Sequence, residues 1–154
     1  MDPNSNPILN SKEKKQLNQA IKKISQYLNH RSHSEKELKK KLSKTFSSRI
    51  IEKSLEQAKE RNWLEPPLEL SKKILETLNK KNKSWKYIQS YLMSKELPLP
   101  IYSKEKEIEK AQNLIQKFSQ NSHKKPVLQI KQYLANRSFE SDIIDELLKE
   151  SSDF

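Results

Sequence analysis

The chain has 154 residues, a net charge of +11, and a hydrophobic fraction of only 32%, with neither cysteine nor glycine. Without cysteine there is no disulfide and no thiolate metal site. Without glycine neither a phosphate-cradling P-loop nor a dinucleotide fingerprint exists, and the helix-ending turns that glycine normally serves fall partly to Asn, for example Asn62, Asn79 and Asn136.

The first seven residues, Met1 to Pro7, lack the charged-then-apolar order of a signal peptide, and residues 1–11 read as a disordered start. No apolar run approaches the roughly 20 residues that span a bilayer. The expectation is a soluble cytoplasmic monomer with no membrane association. Low hydropathy predicts a thin core and an elongated shape.

Leu17, Ala20, Ile21, Ile24, Tyr27 and Leu28 recur at helical spacing, predicting an amphipathic helix over 12–29. Ser34 and Glu37 stand at capping-box spacing and open a second helix that ends near Ser43. Ser47 or Ser48 caps a third, which carries Ile50, Ile51, Leu55 and Ala58. These three helices form a first unit, residues 12–61, followed by the turn Asn62-Trp63-Leu64.

Pro66 and Pro67 suit the entry and first turn of a fourth helix, with Leu70, Ile74, Leu75 and Leu78 as its buried stripe. After the polar loop 79–83, Ser84 caps a helix carrying Trp85, Ile88 and Leu92. The stretch Leu97-Pro98-Leu99-Pro100-Ile101 cannot be helical, because alternate prolines remove donors and force extended neighbours. A helix resumes near Ser103, with Ile108, Ala111, Leu114, Ile115 and Phe118 on one face. Pro126 starts the next, and Ser141 caps a last one with Ile143, Ile144, Leu147 and Leu148.

Three segments resemble one another. Each closes a helix at a leucine (Leu42, Leu92, Leu134) and then places Phe46, Leu97 or Phe139 ahead of the next element. Tandem copies bury together what one copy cannot bury alone, and they present an extended surface instead of a pocket. The interval from Leu92 to Leu134 is eight residues shorter than that from Leu42 to Leu92, or about two helical turns. The third helix of the middle copy is therefore expected to be shortened, lost or merged with the helix from Ser103. The resulting expectation is an all-α fold: tandem three-helix, helix-turn-helix-like repeats in an elongated, curved array. Its parts are repeat 1 at 12–61, a shortened repeat 2 at 62–102, repeat 3 at 103–150 and a tail at 151–154.

The pattern resembles the RecX family of RecA regulators. The residues that carry the resemblance are Tyr27-Leu28, the helix from Ser34 through Glu37-Leu38 to Leu42, Phe46 with Ile50-Ile51, and Trp63-Leu64. Weaker matches lie at Ser84–Leu92 and Pro126–Ile144. Thr45, Asn62 and Ser138 stand where the family has turn glycines, and Glu65-Pro66-Pro67-Leu68 replaces its usual acidic and aromatic pair. The resemblance implies an elongated helical protein that binds along the groove of RecA–single-strand DNA filaments and inhibits or destabilises them. It would thereby modulate recombination, DNA repair and the SOS response, with direct DNA contact in some members. The rival reading is a basic helical module that binds single- or double-stranded nucleic acid independently of RecA. A third is a degraded family member kept as a scaffold.

Charge is uneven. Residues 12–61 carry 15 Lys and Arg against 6 acids, whereas 103–154 carry 9 against 9. Lys39, Lys40, Lys41 and Lys44, extended by Lys22 and Lys23, make the densest basic cluster. It is either a contact for phosphates or acidic RecA loops or a solvated helix end favoured by the macrodipole. Lys80, Lys81, Lys83 and Lys86 alternate with Trp85, Tyr87 and Tyr91, a pattern that lets bases stack while lysines hold phosphates. Against it, Trp85 shares a face with Ile88 and Leu92 and reads as core, which leaves Tyr87 as the stacking candidate.

The C-terminal acids Glu140, Asp142, Asp145, Glu146, Glu150 and Asp153 either complement a helix start or face a basic part of RecA. His30, His33 and His123 lack the further ligands a zinc site needs. Nothing places a nucleophile beside a base, so no enzyme activity, catalytic residue, metal or cofactor is expected.

Overall fold

The structure, a computed structural model, describes residues 8–119 and 126–152. Within them the chain forms eight helices and no strand: α1 Ser11–His30, α2 Glu35–Leu42, α3 Ser48–Glu60, α4 Pro67–Lys80, α5 Trp85–Ser94, α6 Lys104–Ser119, α7 Val127–Asn136 and α8 Ser141–Ser152. The expectations for His123 and Asp153, and for the side chain of Glu150, fall outside the described residues. The chain divides between Pro66 and Pro67 into two compact units.

The first unit is α1 to α3. Asn10 caps α1 by accepting from the Glu13 amide at 2.8 Å. The capping box of α2 is complete: Ser34 Oγ accepts from the Glu37 amide, and the Glu37 carboxylate accepts from the Ser34 amide, both at 3.2 Å. Ser47, not Ser48, caps α3. Such a cap contributes about 1 kcal/mol. Ile24, Leu38, Leu42, Ile51, Leu55 and Ala58 form the core, with Tyr27, Leu28, Phe46, Trp63 and Leu64 packed on it. Leu17, Ala20, Ile21 and Ile50 extend it along the α1–α3 seam.

The second unit holds two helical groups. In α4–α5, Leu70, Leu78, Ile88, Leu92 and Leu97 are buried, with Trp85 and Tyr91 half-buried against them. Trp85 is thus a packing residue, as its shared face with Ile88 and Leu92 predicts. In α6–α8, Ala111, Leu134, Phe139, Ile143, Ile144 and Leu147 form a separate cluster. No helix follows α5 before Lys104. An extended strap takes its place, with Leu97 and Pro100 turned inward and Ile101 92% exposed. Helix α6 packs with α7 and α8, and no separate third helix stands in the middle group.

The helix-ending turns correct one expectation. The residues with left-handed backbone are Asn62 (φ 56°), Asn82 (57°), Glu96 (54°) and Ser138 (66°), not Asn79 or Asn136. Each sits one residue past a helix cap and closes a double hydrogen-bonded turn. Ser138 N–H donates to the Ala135 carbonyl and Phe139 N–H to that of Leu134, and the other three repeat the pattern. Position after the cap decides which residue must adopt the left-handed state; Asn79 lies within α4, and Asn136 is the last helical residue of α7. Thr45 needs no such backbone, because the Phe46 amide reaches the Leu42 carbonyl directly. Ser141 is the first residue of α8 and not its cap; the amides of Ile143 and Ile144 converge on the Glu140 carbonyl. Ser103 does cap α6, through Lys106 N–H at 3.2 Å, and Pro126 precedes α7 without a side-chain cap.

Candidate functional site

The α1–α2 lysines do not behave alike. Lys22 and Lys23 lie on the solvent face of α1, opposite Ile21 and Ile24. Lys39 is exposed and lies 3.7 Å from Glu35 one turn back, and Glu35 also takes Lys59 at 2.9 Å. Lys40 and Lys44 are exposed with no carboxylate partner among the described residues. Lys41 is half-buried and turned inward, with Nζ 2.7 Å from His33 Nε2 and 4.8 Å from the Tyr27 ring centre. Its charge is part of the fold.

That corner assigns the His33 tautomer. The ring is buried; Nδ1 donates to the Arg31 carbonyl at 2.8 Å, which leaves Nε2 to accept from Lys41. Burial pushes the His33 pKa below its ordinary value. The Arg31 and Lys41 charges add to that push, while the Arg31 carbonyl and Glu37 oppose it. His33 is a structural acceptor, and no group of three or more metal-capable side chains exists among the described residues.

The second basic set converges better. Lys81, Lys83 and Tyr87 line one cleft of about 250 Å³, together with Asn82, Ser84, Leu114, Asn136, Arg137 and Ser138. The α4–α5 turn and the α7–α8 turn form two of its walls. Among the described residues no carboxylate lines it. Lys86 is exposed on α5 outside the cleft. Tyr87 is 43% exposed, with Lys83 Nζ 5.0 Å from its ring centre and Tyr91 stacked on it at 6.5 Å. Arg137, absent from the candidates legible in the sequence, lies 3.7 Å from the Tyr133 ring centre, and Tyr133 stacks on Phe118 at 4.2 Å. In the sequence Arg137 is one cation in a charge-neutral region, and only the turn at Ser138 brings it to the cleft.

A second cleft, about 340 Å³, lies on the α4–α6 side of Asn82 and is lined by cations and acids alike. Lys80 pairs with Glu76 at 3.3 Å and Lys106 with Glu109 at 3.2 Å. At its floor Lys110, 2% exposed, uses all three ammonium protons, on Glu107, on Asn79 Oδ1 at 2.7 Å and on the Lys83 carbonyl at 2.8 Å. Burial lowers the Lys110 pKa and Glu107 works against that shift. Sequence periodicity missed this pair, because it assigns charged residues to the solvent face. Glu146 of the acidic last helix is likewise held internally, by Lys104 at 2.8 Å.

No family model and no curated protein matches the chain. Solved structures do. The crystal structure of RecX from Lactobacillus salivarius superposes with a TM-score of 0.75 at 21% identity, over 91% of this chain and 99% of that one. A second crystal structure, of regulatory protein RecX, gives 0.71 at 18% identity, over 87% and 73%. The chain has the RecX fold. The all-α repeat fold expected from the sequence is that of the RecX structures. No described helix is long and apolar enough to cross a membrane.

Proposed function

We propose that this protein is a regulator of the RecX type, which binds RecA–single-strand DNA filaments and inhibits or destabilises them. The observation that carries the reading is superposition over nine-tenths of the chain on a RecX structure that it covers almost end to end. The sequence signature points the same way, because Tyr27, Leu38, Leu42, Phe46, Ile51 and Trp63 meet in one core. The basic first unit, with Lys22, Lys23, Lys39, Lys40 and Lys44 exposed, supplies the surface for phosphates or acidic RecA loops. Modulation of recombination, repair and the SOS response follows from that role, in the cytoplasm and without catalysis by this chain.

The deciding experiment measures RecA's DNA-dependent ATPase. Substoichiometric amounts of this protein are expected to lower it. An unchanged rate at equimolar protein rejects the reading in favour of a RecA-independent nucleic-acid binder.

A further inference from the structure

The two clefts beside Asn82 differ in one respect. In the cleft against α6 each peripheral cation has its own carboxylate. In the other, Lys81, Lys83 and Arg137 line the cleft with no acid in the lining and no carboxylate partner among the described residues, Arg137 also donating to the Tyr133 carbonyl at 3.4 Å. Three cations sharing one concave, partly apolar site attract an anion more strongly than cations scattered on a convex surface. The backbone shapes two of the cleft walls. Asn82 and Ser138 hold left-handed turns at the walls, and the Asn82 side chain is tied to Asn113 at 3.3 Å.

The aromatic arrangement identifies the anion's carrier. Lys83, Tyr87, Tyr91 and Lys95 follow one another at intervals of four residues: the two tyrosines share one ridge of α5, and the lysines flank its two ends. Lys83 sits over Tyr87, Tyr87 stacks on Tyr91 at an interplanar angle of 21°, and Lys95 lies 4.9 Å from the Tyr91 ring centre. This ladder runs out of the cleft along α5, roughly 15 Å for ten residues. An isolated phosphate needs the cleft alone. A chain of phosphates with flat, hydrophobic-faced bases matches both the cleft and the ridge, because bases stack on rings irrespective of sequence while cations hold the backbone.

We infer that the cleft formed by Lys81, Lys83, Tyr87 and Arg137, continued by the Tyr87–Tyr91 ridge, is a binding site for single-stranded nucleic acid. A backbone phosphate lies between the two lysines and the guanidinium, and the adjoining bases lie along the ridge. The inference deepens the regulator reading by naming a strand-binding surface in the second unit, but it does not depend on RecA.

The test is fluorescence anisotropy of labelled oligo(dT) with the full-length chain, repeated across a salt series. Replacing Lys83 and Arg137 with Gln together is expected to weaken binding about tenfold at low salt. It is also expected to reduce the slope of log affinity against log salt by about 0.7 for each phosphate no longer neutralised. Tyr87→Leu keeps the apolar bulk but not the π face, and is expected to cost about tenfold in affinity with the salt slope unchanged. Lys72→Gln, a charge loss on the outer face of α4, is the control and is expected to leave both quantities as in the wild type.

Circular dichroism verifies that each variant is folded. If the double variant is not, Arg137→Lys replaces it and is expected to weaken binding severalfold. Wild-type affinity in a folded double variant overturns the inference, as does an equal loss in Lys72→Gln. Duplex binding as tight as oligo(dT) binding, or inorganic phosphate competing as well as unlabelled strand at equal concentration, also overturns it. RecA ATPase is measured in parallel: a wild-type protein that inhibits RecA but does not bind oligo(dT) overturns the strand site and leaves the regulator reading standing.

Discussion

Asn82 and Ser138, from different helix–helix turns, both take left-handed backbone and both line the same cleft. In a chain without glycine these turns carry a steric cost, since a Cβ crowds the following carbonyl by about 1–2 kcal/mol in this region. Asn lowers that cost and Ser does so less. Ser138 is exposed, and among the described residues no side-chain hydrogen bond of its own offsets the strain. Ser138→Gly is therefore expected to stabilise the protein by about 1 kcal/mol, read as a higher denaturant midpoint with an unchanged m value. A lower midpoint means the turn is held by something other than backbone geometry.

Lys110 gives the opposite case. Its ammonium joins α6 to the end of α4 through Asn79 and to the α4–α5 turn through the Lys83 carbonyl while neutralising buried Glu107. Lys110→Met removes the charge but keeps the length, and leaves a buried carboxylate, an amide oxygen and a carbonyl unmet. Breaking such a pair costs about 3–5 kcal/mol. Adding Glu107→Leu is expected to recover part of the loss but not all, because the Asn79 and Lys83 acceptors stay unsatisfied. Urea denaturation of the two single variants and the double variant measures the coupling directly.

How far the sequence anticipates this arrangement depends on what each residue answers to. Local rules suffice for the caps Ser34 and Ser84, narrow that of α3 to Ser47 or Ser48, place the start of α6 near Ser103, and suffice for the core stripes of α1, α3 and α8, since spacing and side-chain chemistry determine them. They suffice for the proline strap as well. They fail at Glu107 and Lys110, which local hydropathy places in solvent, and only the approach of α4 and α6 explains their burial. They fail at Arg137, brought to Lys81 and Lys83 from more than fifty residues away. And they fail at Lys41, indistinguishable in sequence from Lys39 and Lys40 but one helix position closer to Tyr27 and His33.

His33 carries a pH dependence whose sign follows from its environment. Its folded pKa lies below the unfolded value of 6.5, so the unfolded state takes up the proton first as pH falls. The stabilisation is complete above about pH 6.5 and is lost progressively below it, toward the lowered folded value. Protonation also removes the Nε2 lone pair that accepts from Lys41. A Gln at this position retains one donor and one acceptor but does not titrate. His33→Gln is thus expected to flatten the stability profile between pH 6.5 and 5, while carboxylates impose their own decline at lower pH in both proteins. Parallel slopes for wild type and variant across that interval would assign the acid sensitivity elsewhere.

Because Lys41 is engaged with Tyr27 and His33, a charge-reversal test of the first unit must spare it. Lys39, Lys40 and Lys44 are exposed, and of these only Lys39 has a carboxylate neighbour among the described residues, on the surface. An exposed pair of that kind contributes at most about 1 kcal/mol. Changing these three lysines to Glu is expected to leave helicity nearly intact and to shift the thermal midpoint little. The same change removes three positive charges and adds three negative ones, so association with RecA–single-strand DNA filaments is expected to weaken at least tenfold at low ionic strength and less at high salt, where screening shortens the reach of the field. Cosedimentation of the folded variant with filaments across a salt series measures this. Filament binding equal to the wild type at every salt concentration would move the contact surface off α2.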